Sequence, residues 1–128
     1  MRRVGSVALV SLLLVGLGCG SGSNPRILQS ISLTSSPAGD DAIQFTATGH
    51  YNQDPMTMSP LPAFWGIFLL LGTQGQPTIT QDGLAQCTAG GSGTYEIAAY
   101  APADPSIPIS QLLEAKKIVV AYTQITCP

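Results

Sequence analysis

A chain of 128 residues with 45% hydrophobic and only 9% charged residues is short enough for one domain and too apolar for a disordered one. Its 14 glycines and 10 prolines favour many short strands over a few long helices. Five basic against seven acidic residues exclude nucleic acid as a partner, because phosphate binding needs a clustered basic surface, and a single histidine leaves little material for acid–base catalysis.

Arg2 and Arg3 precede an apolar stretch, Val4 to Leu17, which meets Gly18-Cys19-Gly20 and a polar spacer, Ser21 to Pro25. That order is the order of a secretory signal. At 14 residues the stretch is shorter than the roughly 20 that a spanning helix needs. Leu17-Gly18-Cys19 resembles the end of the lipobox of bacterial lipoproteins, with Gly16 standing where that motif usually has Leu. The resemblance implies a signal peptide over residues 1–18, an acylated Cys19, a flexible tether over 19–26 and a protein lipid-anchored in the bacterial cell envelope. The alternative is an ordinary cleaved signal, with Cys19 incidental and the protein secreted. The body after Cys19 carries Arg26, Lys116 and Lys117 against seven carboxylates, so its expected partner, the membrane, is engaged through acyl chains rather than a large basic patch.

From residue 27 the chain reads as strands. Ile27, Gln29, Ile31 and Leu33 alternate with Leu28, Ser30, Ser32 and Thr34, and the turn Ala38-Gly39-Asp40-Asp41 follows. Ile43, Phe45 and Ala47 alternate with Gln44, Thr46 and Thr48, and Gly49 interrupts the pattern. A proline-punctuated connection, Asn52 to Pro62, leads into Ala63 to Leu71, which reads as a central strand buried on both faces. Thr78-Ile79-Thr80 and Leu84 to Cys87 flank Asp82-Gly83, a hairpin signal. Tyr95, Ile97, Ala99 and Ala101 alternate with Glu96, Ala98 and Tyr100. Pro102 to Pro108 is a loop, Ser110 to Lys117 allows a short helix capped by Ser110, and Ile118 to Cys127 is β-branched again. About seven short strands at this spacing predict an all-β sandwich.

Asp82-Gly83-Leu84-Ala85 and Gly93-Thr94-Tyr95-Glu96-Ile97, with Ile31 to Thr34, Gln44 to Gly49 and the Trp65 strand, resemble bacterial immunoglobulin-like domains of group 2. The resemblance spans residues 27–128 and implies an immunoglobulin-like Greek-key β-sandwich with no catalytic centre. The chain is also similar to small lipoproteins of one such domain that end in Cys-Pro, as Cys127-Pro128 does. The loop from Ala101 to Lys117 is longer than in that family, and Ile67 to Leu71 is more apolar.

With Cys19 committed to lipid, Cys87 and Cys127 form an even pair, for which export makes a disulfide the expectation. The bridge closes a loop of about 40 residues and restricts the unfolded chain by about 4 kcal/mol. No cofactor is expected. His50 with Asp54 supplies too few ligands for zinc, and Asp40 with Asp41 reads as a solvated turn rather than a calcium loop. Enzyme activity is not expected either, because no base and orienter accompany a nucleophile. Strand parity gives the interface candidate. If Trp65 faces the core, Phe64, Phe68 and Leu70 point outward, to be covered by a protein or glycan partner or by Ile107, Ile109, Leu112 and Leu113 of the long loop.

Overall fold

The structure is a computed structural model that describes residues 24–69 and 75–128. The signal segment, Cys19 and Leu70 lie outside the described residues. Among the described residues eight strands form two antiparallel sheets: β1 (Leu28–Pro37), β2 (Ala42–Tyr51), β3 (Thr57–Met58), β4 (Phe64–Leu69), β5 (Thr78–Ile79), β6 (Leu84–Gln86), β7 (Gly93–Pro102) and β8 (Ile118–Cys127). One sheet has the order β1-β2-β6-β5, with β3 also pairing β2, and the other has the order β4-β7-β8. Setting β3 aside, these orders are those of the constant-type immunoglobulin sandwich, whose four-stranded and three-stranded layers are linked as a Greek key.

The core lies between the layers and is built by alternation. Phe45, Ala47 and Tyr51 from one sheet meet Trp65, Tyr95, Ile97, Ala99 and Ala101 from the other. Phe45 and Trp65 are in ring contact, with centroids 6.3 Å apart and planes tilted by 35°. Antibody domains place a disulfide between their second and sixth strands against this tryptophan. Here Phe45 on β2 supplies the ring that the tryptophan packs against. The Tyr95 hydroxyl shares its one proton between the carbonyls of Gly75, at 2.5 Å, and Ser92, at 3.2 Å. Bonding back to a carbonyl just upstream at the start of β7 is the tyrosine-corner arrangement of such sandwiches.

The disulfide is present between Cys87 and Cys127, with Cα atoms 5.8 Å apart. It joins the residue after β6 to the last residue of β8, and so ties the two sheets together at one end. Next to it the Asp40-Asp41 turn is held by its backbone. Gln86 Nε2 donates to the Asp40 carbonyl and the Cys87 amide donates to that of Asp41.

Five expectations from the sequence are corrected. Leu28, expected opposite Ile31, lies on the same inner face and is fully buried where Ile31 is partly so, because a bulge between Leu28 and Ser30 shifts the register and turns Leu28 inward. Gly49 does not interrupt β2, which runs through it to Tyr51. Its missing side chain leaves room for Leu28 and Leu61, which a Cβ would meet at 2.9 and 3.1 Å. The connection from Asn52 to Pro62 contains the two-residue strand β3. The strand at Trp65 is an edge strand with one open face, since β7 takes the central place in its sheet. The short helix is a 3-10 turn over Ile109–Glu114 that follows Pro108 and has no side-chain cap, so Ser110 sits inside it.

Candidate functional site

In antiparallel sheets directly paired residues share a face. Phe64 pairs with Tyr100 and Tyr100 with Val120; Gly66 pairs with Ala98 and Ala98 with Tyr122; Phe68 pairs with Glu96 and Glu96 with Gln124. These three rows make the outer face of the three-stranded sheet. Trp65, from the alternate set, is 5% exposed, whereas Phe64 is 47%, Phe68 44% and Tyr122 59% exposed. Parity therefore places Phe64 and Phe68 outward as the sequence indicates. Tyr100 and Tyr122, which the sequence reading did not join to them, complete an aromatic cluster. Their signal was the same alternation along β7 and β8, but only the register shows which rows they share.

The centre of the face is small. Gly66 and Ala98 lie side by side, and Ala98 is fully buried although it belongs to the outer face and not to the core cluster. The surrounding rings account for this: Tyr100 and Phe64 are in ring contact at 6.3 Å, and a Cβ on Gly66 would meet the Tyr100 ring at 3.8 Å and the Phe68 ring at 4.0 Å. The Tyr100 phenol is held above its ordinary pKa, first by burial and then by the neighbouring Tyr122 and Glu96. Glu96, Gln124 and the Thr94–Thr126 hydroxyl pair, 3.1 Å apart, form a polar border at the end near Phe68.

The long loop does not cover this face. Its 3-10 turn has no buried residue, Leu113 is 94% exposed, and Ile109 lines a lateral groove instead. That groove, about 710 Å³, opens between the sheets along β2 and β4 and is walled by Phe45, Leu61, Pro62, Trp65 and Phe64. Phe64 thus borders both the groove and the aromatic face.

The other candidates separate. His50 Nε2 lies 2.8 Å from Ser32 Oγ across the β1–β2 ladder. Among the described residues no group of three or more His, Cys, Asp or Glu is gathered in metal-binding reach. Cys87 and Cys127 are consumed in the disulfide. Comparison with family models, curated proteins and solved structures finds no match to this chain. Fold and site together define a two-sheet, disulfide-linked, all-β module that exposes an aromatic face.

Proposed function

We propose that the chain is a cell-envelope lipoprotein whose mature part is one immunoglobulin-like binding module of the group 2 kind, and that the outer face of β4, β7 and β8 is its binding surface. The observation that carries the binding role is the joint exposure of Phe64, Phe68 and Tyr122 on one sheet face. Contiguous exposed apolar area of this sort marks interaction sites, and aromatic residues are enriched at interface centres. A passive spacer, the competing use of such a domain, gains nothing from the rings, since polar residues of similar β propensity would serve an outer face equally well. The reading assigns no catalytic role. It is supported further by the N-terminal signal pattern and by a disulfide suited to an oxidising compartment. Flat rings bordered by Glu96, Gln124 and threonine hydroxyls suit an apolar patch edged with hydroxyl or amide groups, as on a glycan or a protein surface.

The test compares Phe68→Ser and Tyr122→Ser with Trp65→Ser in the full chain, reading fold by urea denaturation and binding against immobilised envelope glycans and envelope proteins. The two face variants are expected to fold and lose binding, while Trp65→Ser unfolds. Retained binding, or a Phe68→Ser variant as unfolded as Trp65→Ser, overturns the reading. The anchor is checked by Cys19→Ala, which is expected to leave the protein either uncleaved or soluble, and in both cases without acyl chains by mass spectrometry. A mature N-terminus at another residue, without acyl chains, refutes that part.

A further inference from the structure

The sandwich has two unlike poles. At one lie the β1–β2 turn, with Asp40 and Asp41, and the disulfide. The other gathers residues 24–28, the connection 51–62 and the loop 103–118: the Leu28 amide donates to the Ala103 carbonyl and the Ala103 amide to that of Lys117. All three Lys and Arg residues among the described residues, Arg26, Lys116 and Lys117, belong to this second pole, together with the carboxylates Asp54, Asp104 and Glu114. Exposed apolar side chains collect there too. Met56, Met58, Leu113 and Ile118 all project from it, with Leu113 almost wholly in solvent. Between its two loops opens an apolar cleft of about 380 Å³.

The N-terminal segment enters at this same pole and is fastened to it. Asn52 Nδ2 donates to the Pro25 carbonyl at 3.1 Å, the Ile27 amide donates to Asn52 Oδ1 at 2.7 Å, and Gln53 Nε2 donates to the Asn24 carbonyl. Arg26 donates to the Pro55 carbonyl at 2.6 Å while its guanidinium lies 3.6 Å from the centre of the Tyr51 ring. Residues 24–26, expected to belong to a flexible tether, are therefore part of the domain surface. Only five peptide steps separate Asn24 from Cys19, a span of at most about 18 Å even when fully extended.

We infer that this pole is a membrane-contact surface: Leu113, Met56 and Met58 enter the headgroup region of the bilayer that holds the N-terminal anchor, with Lys116 and Lys117 toward its anionic phosphates. The inference rests on the lipid-anchor reading of Cys19. Three independent features agree on it: the short leash, the concentration of exposed apolar side chains and the placement of the cations. The opposite pole, with Asp40 and Asp41 and none of the described Lys or Arg residues, is repelled by anionic lipid and points away, whereas at the contact pole the three cations offset Asp54, Asp104 and Glu114. The aromatic face then stands along the side of an upright domain, open to a partner.

The experiment places a fluorophore at each pole of the full chain, purified from an exporting bacterial host. Leu113→Trp and Asp40→Trp variants are reconstituted in phosphatidylethanolamine–phosphatidylglycerol vesicles with brominated acyl chains, and the buried Trp65 is common to both. Near-ultraviolet circular dichroism verifies the fold. Leu113→Trp is expected to lose about half its added emission to the lipid quencher, Asp40→Trp almost none, and Lys116→Glu with Lys117→Glu to reduce the quenching. A chain that sediments with the vesicles but shows equal quenching at both poles, or loss of exposure at Leu113 through self-association alone, overturns the membrane-contact surface and leaves the anchor standing. A chain that does not sediment with vesicles overturns both.

Discussion

Gly83 connects the hairpin chemistry to the core, and replacing it tests how tightly the Trp65 strand is seated. The residue has φ +85°, its carbonyl accepts the Phe45 amide at 2.8 Å, and a Cβ there would meet the Phe45 carbonyl oxygen at 2.5 Å and the Trp65 ring at 3.1 Å. A left-handed conformation alone costs a non-glycine residue about 1–2 kcal/mol. The backbone oxygen has no rotamer into which to retreat, so overpacking adds about 1–3 kcal/mol. If β2 and the hairpin separate to relieve the clash, the Phe45 hydrogen bond is weakened, at about 1 kcal/mol. Gly83→Ala should therefore destabilise by about 3–6 kcal/mol, a large share of the total stability of a small domain. Gly90→Ala is the control: it shares a positive φ, +78°, but a Cβ there meets nothing within 4 Å. It should cost only the conformational part. Urea unfolding of both variants, with the disulfide intact, gives the comparison from the midpoints at constant slope. Equal losses at the two positions would refute the steric argument and with it the close seating of the hairpin on Trp65.

Two further outcomes follow from the same geometry. Cys127→Ser should lower stability by about 4 kcal/mol through release of the cross-linked loop, and urea unfolding should show no further loss when that variant is treated with reductant; a wild-type protein whose two cysteines alkylate under denaturing, non-reducing conditions would show that the bridge does not form. Tyr100, whose folded pKa lies above its ordinary value, contributes stability in full below the ordinary tyrosine range and loses it as pH rises through the higher folded value. Carbon-13 NMR of labelled tyrosines should show its ring titrating later than in the unfolded chain, with Glu96→Gln moving the midpoint back down; an unshifted Tyr100 midpoint would show that the ring is not desolvated on this face.

Much of the fold was legible because the sandwich is written in a two-residue period. Phe45 and Ala47, and Tyr95, Ile97, Ala99 and Ala101, announce their inward faces by alternation alone, whereas in the apolar Trp65 strand parity separates Trp65 from Phe64 and Phe68 without saying which side is inward. The Asp82-Gly83 hairpin was legible because a positive φ demands a glycine, and the pairing of Cys87 with Cys127 because, once Cys19 is set aside, two cysteines admit a single pairing. These are local or combinatorial signals. The tertiary structure decided everything that depends on which strand lies beside which. An apolar run such as Phe64–Leu69 carries no mark of whether it has one neighbour or two, so its place at the sheet edge, and the exposure that follows, come from long-range pairing. The bulge at Leu28 is set by contacts with β2 rather than by the residue types around it. Tyr100 and Tyr122 join Phe64 and Phe68 only through register, and the loop 103–118 is tied to the N-terminal pole rather than laid over the rings, its Ala103 carbonyl taking the Leu28 amide. Side-chain direction is a property of the strand, whereas neighbourhood is a property of the sheet, and the candidate site is made of neighbours.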